Sequence, residues 1–170
     1  MRQIRALLSV VMLVLVGIMA PWTSSGVIGQ QGTPEAKSIP PLLAAWAEAW
    51  SSGDPTQMAA LYTEDGVYEE VPTGVVTRGP AEIEAFIAET CAAFPVAQVT
   101  PRTGFQAEAW AVMEADFSGE SAEGASFSIP FVVVFELEGD KIVRNADYFD
   151  NYDLMSQLGM LPNAEATPAA

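Results

Sequence analysis

Apolar residues recur along this chain with two different periods, and the change from one to the other divides it. Leu42, Leu43, Trp46, Ala49 and Trp50 follow the three-and-four spacing of one helix face, opened by Pro40-Pro41 and stopped by Ser52-Gly53. Asp54-Pro55 supplies an N-cap and a first-turn proline for a second, short helix through Met58, Leu61 and Tyr62. Glu64-Asp65-Gly66 reads as a turn, and VYEEV from Val67 as a short strand ended by Pro72. Gly79-Pro80 opens a third helix, with Ile83, Phe86, Ile87, Thr90, Cys91 and Phe94 on its buried side and Pro95 ending it. From Ala97 the period becomes two. Strands are predicted over 97–107, 109–118, 126–138 and 141–149, followed by a short amphipathic segment with Leu154, Leu158 and a closing Gly159. Helices first and antiparallel strands afterwards predict an α+β fold, its helices packed on one face of a bent sheet.

Alternation along the strands sorts candidate chemistry by face. Gly139-Asp140 between FVVVFELE and KIVRNADYF is a hairpin signal, and the returning arm puts Val143, Asn145, Asp147 and Phe149 on one side. Asp147 thus shares a partly apolar face, where desolvation governs a carboxylate's pKa. On strand 109–118 the odd positions Ala109, Ala111, Met113, Ala115 and Phe117 are all apolar, while the even ones include Trp110, Glu114 and Asp116. Taken alone, that pattern makes the odd face core and the even face solvent.

The ends of the chain read differently. Arg2 and Arg5 precede an apolar run, Ala6 to Ala20, and small polar residues follow from Thr23: the layout of a secretory signal peptide. Residues 1–29 are read as a signal peptide or an uncleaved N-terminal anchor, 30–38 as a flexible linker, 39–160 as the folded domain and 161–170 as a disordered tail. The expected location is therefore secreted or periplasmic, with membrane attachment only if the leader stays on. Taking Arg2 and Arg5 from the 7 basic residues leaves 5 against 22 acidic ones, a net charge of −17, which argues against nucleic acid or an anionic membrane as partner.

Missing residue types narrow the chemistry. With no histidine and a single cysteine, the chain has no serine–histidine or cysteine–histidine catalysis, no histidine-ligated zinc or haem, and no internal disulfide. Cys91, in AETCAAF, belongs to a helical core. Neither a P-loop nor a dinucleotide-binding glycine pattern occurs, and no loop has calcium-binding spacing. No cofactor and no metal are expected, so any catalysis falls to carboxylates, Tyr, Asn, Lys or Arg.

Three passages carry a resemblance to the SnoaL-like branch of the nuclear transport factor 2-like superfamily. AALYTEDGVYEEVPTG followed by TRGPAEIEAFI resembles its helix–strand–loop–helix unit, and AWAVMEADFSGE its central strand. VVVFELEGDKIVRNADYFDNYDLMSQLG is similar to its closing hairpin and helix. The resemblance spans about residues 40–160. It implies a cone-shaped cystatin-like α+β roll, three helices closing a bent antiparallel sheet over a central pocket. It also implies a small, apolar molecule as partner and a homodimer formed through the sheet.

Within that superfamily, limonene epoxide hydrolases, ketosteroid isomerases and polyketide cyclases are the functional templates. The epoxide-hydrolase motifs fall on Tyr68-Glu69-Glu70, where the tyrosine matches and the asparagine does not, and on Glu114-Ala115-Asp116, where the second aspartate matches and glutamate replaces the arginine. The final aspartate falls on Asp147 in DYFD. The resemblance so implies Asp147, Asp116 and Tyr68 as catalytic residues, with Glu70, Glu114, Asn145, Trp110, Phe149 and Trp50 around the substrate. It turns the even face of strand 109–118 inward, against the plain alternation. Losing the arginine argues against epoxide hydrolysis. Several carboxylates in one cavity without a cation would share a proton, one acting as base and a neutral acid or Tyr68 as donor. Ketosteroid isomerase sites divide their acids in that way. A non-catalytic binding or interaction module is the alternative.

Overall fold

A computed structural model of the chain describes residues 38–161. The leader, most of the linker and the tail expected from the sequence lie outside them. Helix α1, Pro41–Ser52, starts on Pro41 and ends at Gly53, whose φ of 65° gives the left-handed turn that closes the helix. Helix α2, Pro55–Ala59, is capped by Asp54, whose carboxylate accepts from the Thr56 and Gln57 N–H groups. Strands β1, Tyr62–Glu70, and β2, Val75–Arg78, lead into helix α3, Gly79–Ala93, where Glu82 reaches back to accept from the Arg78 N–H at 2.9 Å. Then come β3, Val96–Ala107; β4, Trp110–Glu120; β5, Ser126–Glu138; β6, Lys141–Phe149; and helix α4, Asn151–Gln157, capped by Asp150.

The strands form one six-stranded sheet in the order β2-β1-β6-β5-β4-β3. Helix α1 packs on β3, α3 on β1 and β2, α2 against α1 and α3, and α4 on β5. On β5 burial alternates residue by residue, and Phe127, Ile129, Phe131, Val133, Phe135 and Leu137 face the helices. Ala111, Met113 and Ala115 continue that inner face on β4. The core is closed by Leu43, Trp46, Met58, Ile83 and Ile87 from the helices. Cys91 lies partly buried against this core, and burial pushes its thiol up.

Three features depart from the sequence expectation. The sheet is not antiparallel throughout, because β1 and β6 pair in parallel. Glu64-Asp65-Gly66 belongs to a strand rather than a turn. Tyr62 pairs with Ile142 and Val67 with Arg144, so the chain bulges between the two contacts, and a side chain at the buried Gly66 would meet the Tyr62 Cβ at 2.8 Å. Strand β2 has no counterpart in the sequence expectation, and it is short, at the sheet edge, with only one neighbour.

Candidate functional site

Parallel pairing of β1 with β6 sets Tyr68 beside Asn145 and Glu70 beside Asp147. All four side chains belong to the face that the helices cover. The Tyr68 hydroxyl donates to Asp147 Oδ2 at 2.5 Å, and Asn145 Nδ2 donates to Asp147 Oδ1 at 2.7 Å. Behind them the Tyr62 hydroxyl donates to Asn145 Oδ1 at 2.7 Å, and the Trp46 indole N–H donates to the Tyr62 oxygen at 3.1 Å. The result is a buried chain, Trp46 to Tyr62 to Asn145 to Asp147, with Tyr68 closing it from the other side. The Asn145 amide is oriented by these partners, since its oxygen needs a donor and its nitrogen an acceptor.

Burial pushes the Asp147 carboxyl up from 3.8 to about 7. The hydrogen bonds from Tyr68 and Asn145 pull the other way, and the neighbouring Glu70 charge adds to the rise. Glu70 is itself raised by burial, partly offset by the Thr73 hydroxyl at 2.9 Å. Desolvation and the nearby Asp147 hold the Tyr68 hydroxyl well above its ordinary value, so it stays a neutral donor. Removing that donor with Tyr68→Phe is expected to move Asp147 higher still, seen as a later midpoint in a carboxyl NMR titration; an unchanged midpoint would show that the hydroxyl does not hold the carboxylate.

Asp147 sits at the wall of a cavity of about 390 Å³. Trp46, Trp50, Tyr68, Phe86, Phe131 and Phe149 contribute aromatic surface to it, and Leu154, Met155 and Leu158 close one side from the C-terminal helix and the residues after it. Of the residues expected from sequence, the structure thus brings Asp147, Tyr68, Glu70, Trp50 and Phe149 to the cavity. Asn145, expected beside the substrate, is fully buried behind Asp147 and does not line it, its amide being taken up by Tyr62 and Asp147.

Asp116, Glu114 and Trp110 are elsewhere. Ala111, Met113 and Ala115 have no exposure, which turns the even positions of β4 to the outside of the sheet, where Trp110 is 53% exposed. The alternation is the sound guide here, and the alignment to an epoxide-hydrolase site misleads. These acids do not lack a cation either. On β3, Pro101 pairs with Ala115 and Thr103 with Glu114, so Arg102 is the extra residue of a bulge. Its guanidinium donates to both Asp116 oxygens and to Glu114 Oε1 at 3.2 Å. Asp116 and Asp147 therefore lie on opposite faces of the sheet and share no proton. Asp116→Asn should leave the Asp147 titration where it is, a result readable in the same NMR experiment.

Sequence reasoning misses Tyr62, which its periodicity places on a helix, and Trp46 as a donor, which reads as core first. Tyr62 and Tyr68 share parity and the same buried face of β1, but the turn expected at Glu64-Asp65-Gly66 cuts Tyr62 off from the strand. Glu89, on α3, also lines the cavity at its exposed rim and carries no signal beyond being a helix-surface acid.

The fold and the sequence point to one family. A family model described as the SnoaL-like domain matches residues 43–145. The chain belongs to the SnoaL-like family. Among solved structures it is similar to a hypothetical protein with a ketosteroid isomerase-like fold from Catenulispora acidiphila, in complex with trimethylamine. That match has 26% identity and a TM-score of 0.70, over 73% of this chain and 96% of that one. A SnoaL-like polyketide cyclase, so described in provisional terms, from Shewanella denitrificans matches with 15% identity and a TM-score of 0.64, over 71% and 96%. An epoxide hydrolase of the LEH-like kind from M. tuberculosis matches with 21% identity and a TM-score of 0.60, over 69% and 86%. The last two show the fold alone. Among curated proteins none matches the chain. SnoaL-like membership and these neighbours make the α+β cone a small-molecule pocket fold.

Proposed function

We propose that this SnoaL-like protein binds a small, largely apolar molecule in the cavity and carries out cofactor-free acid–base chemistry on it, with Asp147 as the proton-transferring group and Tyr68 as the hydrogen-bond donor. One observation carries this: a buried carboxyl raised to about 7 and a neutral phenol, hydrogen-bonded to each other, at the wall of an otherwise apolar cavity. Ionised Asp147 would take a proton from a carbon next to a carbonyl, Tyr68 would turn its hydroxyl to the developing oxyanion, and the protonated Asp147 would return the proton at another carbon. No atom is gained or lost in that isomerisation. The relative in complex with trimethylamine supports reading this fold as a holder of small molecules.

The test is deuterium uptake from D2O into a panel of ketones with acidic C–H bonds, beside recovery of ligands from metabolite extracts by mass spectrometry. Catalysed uptake should rise through about pH 7 and fall about 100-fold or more in Asp147→Asn. If wild type and Asp147→Asn are equal on every ketone, catalysis is abandoned; a recovered ligand would then mark a binding module.

Two further parts of the proposal concern the whole molecule. Export rests on Arg2, Arg5 and the apolar run after them, and is checked by the N-terminal residue of mature protein. A homodimer through the outer sheet face is supported by exposed Phe105, Trp110, Val132 and Tyr148 on adjoining strands, and is checked by sedimentation.

A further inference from the structure

The charged groups that line the cavity all have one sign. Asp147 stands at its wall, Glu70 beside it on the next strand, and Glu89 at the exposed rim, while among the described residues no Lys or Arg lines it. Two arginines of the sheet are committed elsewhere, Arg102 to Glu114 and Asp116, and Arg144 to Glu69 and Glu136, all on the outer face. Eight of the lining residues are aromatic. The Trp46 and Tyr68 rings lie nearly parallel with centroids 6.5 Å apart, and Phe86 meets Tyr68 at 5.3 Å. Aromatic faces carry negative electrostatic potential, so walls and acids act in the same direction. An anionic ligand would find no counter-charge here, and a neutral one would leave the acids unmatched.

We propose that the cavity selects organic cations, molecules with an apolar body against the aromatic walls and a protonated amine or quaternary ammonium group beside Glu70 and Glu89. The proposal rests on reading the cavity as a small-molecule site and names the charge of what fills it. Asp147 and Tyr68 then remain free to meet the reacting atom. A cation in the cavity also favours the ionised form of Asp147, so binding should tighten as pH rises. The titratable groups that bear on this are Tyr62, Tyr68 and Glu70 from β1 and Glu89 from α3; α1 contributes only uncharged residues to the lining, and α4 only Asn151, Leu154 and Met155.

The experiment compares choline with its neutral carbon isostere 3,3-dimethylbutan-1-ol, following the indole N–H signals of Trp46 and Trp50 by NMR. At about pH 8, choline should bind about tenfold more tightly than the alcohol or better. The preference should shrink at about pH 5.5, below the value of about 7 to which Asp147 is raised, where that carboxyl is protonated. It should also shrink in the double variant Glu70→Gln/Glu89→Gln, which leaves the buried hydrogen-bond chain in place. Equal or weaker binding of choline, no binding by either compound, shifts confined to Trp110, or a preference unchanged in the double variant would overturn the proposal. Such a failure leaves deuterium uptake untouched, and loss of deuterium uptake leaves the cation preference untouched, so the two readings fail separately.

Discussion

Wild-type protein will lose about 4 kcal/mol of folding stability between pH 4 and pH 8 that Asp147→Asn keeps, because a carboxyl raised from 3.8 to about 7 carries about that much differential free energy. The sign follows from proton counts. An unfolded Asp147 gives up its proton near 3.8, and the folded one holds it until about 7. Between those values the native state binds more protons than the unfolded chain, so stability falls as pH rises, and the fall ends above about 7. Below the unfolded value both proteins carry a neutral, nearly isosteric side chain and should be alike. The repulsion among the other acids also erodes stability with pH, but it acts on both proteins and drops out of their difference to first order. Urea unfolding of the pair at a series of pH values checks this. Parallel stability curves would mean that Asp147 is solvated in the native state, and would remove the basis of the proposed acid–base chemistry as well.

Trp46→Ala should cost about 3–5 kcal/mol, among the largest effects open to a single change here. Trp46 is 1% exposed and its ring lies against Trp50, Tyr68, Phe131 and Phe135. Its loss opens a void beneath the cavity and strips the Tyr62 oxygen of its donor. Trp46→Phe keeps most of the packing and removes the N–H, so it should cost about 1–3 kcal/mol, much of it the unfilled hydrogen bond. Urea midpoints of the two variants separate the terms. Equal losses would show that the hydrogen bond to Tyr62, rather than the ring, dominates.

The parts of this fold that rest on local chemistry are legible in the sequence. Pro41, Asp54 and Gly79-Pro80 mark helix starts, and the strict alternation of β5 and the Gly139 turn, with its φ of 62°, mark the closing hairpin. Asp147 is legible for the same reason, as a carboxylate in phase with Asn145 and Phe149. Val143, expected on that face, is instead the extra residue of a bulge in β6, and Ile142 takes the core position. Register is not legible. Whether residue 102 counts once or is bulged out, and whether residues 63–66 turn or stay in a strand, depends on the strand alongside. Two misplacements follow from this: nothing local sets Arg102 beside Glu114 and Asp116, and nothing local sets Tyr62 behind Asn145. The inward assignment of those two acids comes from alignment to a motif whose arginine is missing, while Ala111, Met113 and Ala115 already point to the opposite face.

The parallel ladder between β1 and β6 has a consequence for how the molecule is made. Tyr68 and Asp147 are 79 residues apart in the chain, and Tyr62 and Asn145 are 83 apart. Such distant pairing requires a large loop to close before any contact rewards it, which slows folding. A chain emerging from the ribosome can form α1, α2 and α3 and still present β1 with one side unpaired until β6 arrives. The polar chain therefore assembles in the same late event that completes the sheet, and a mutation that delays docking of the last hairpin will be felt in yield of folded protein before it is felt in the properties of the molecules that do fold.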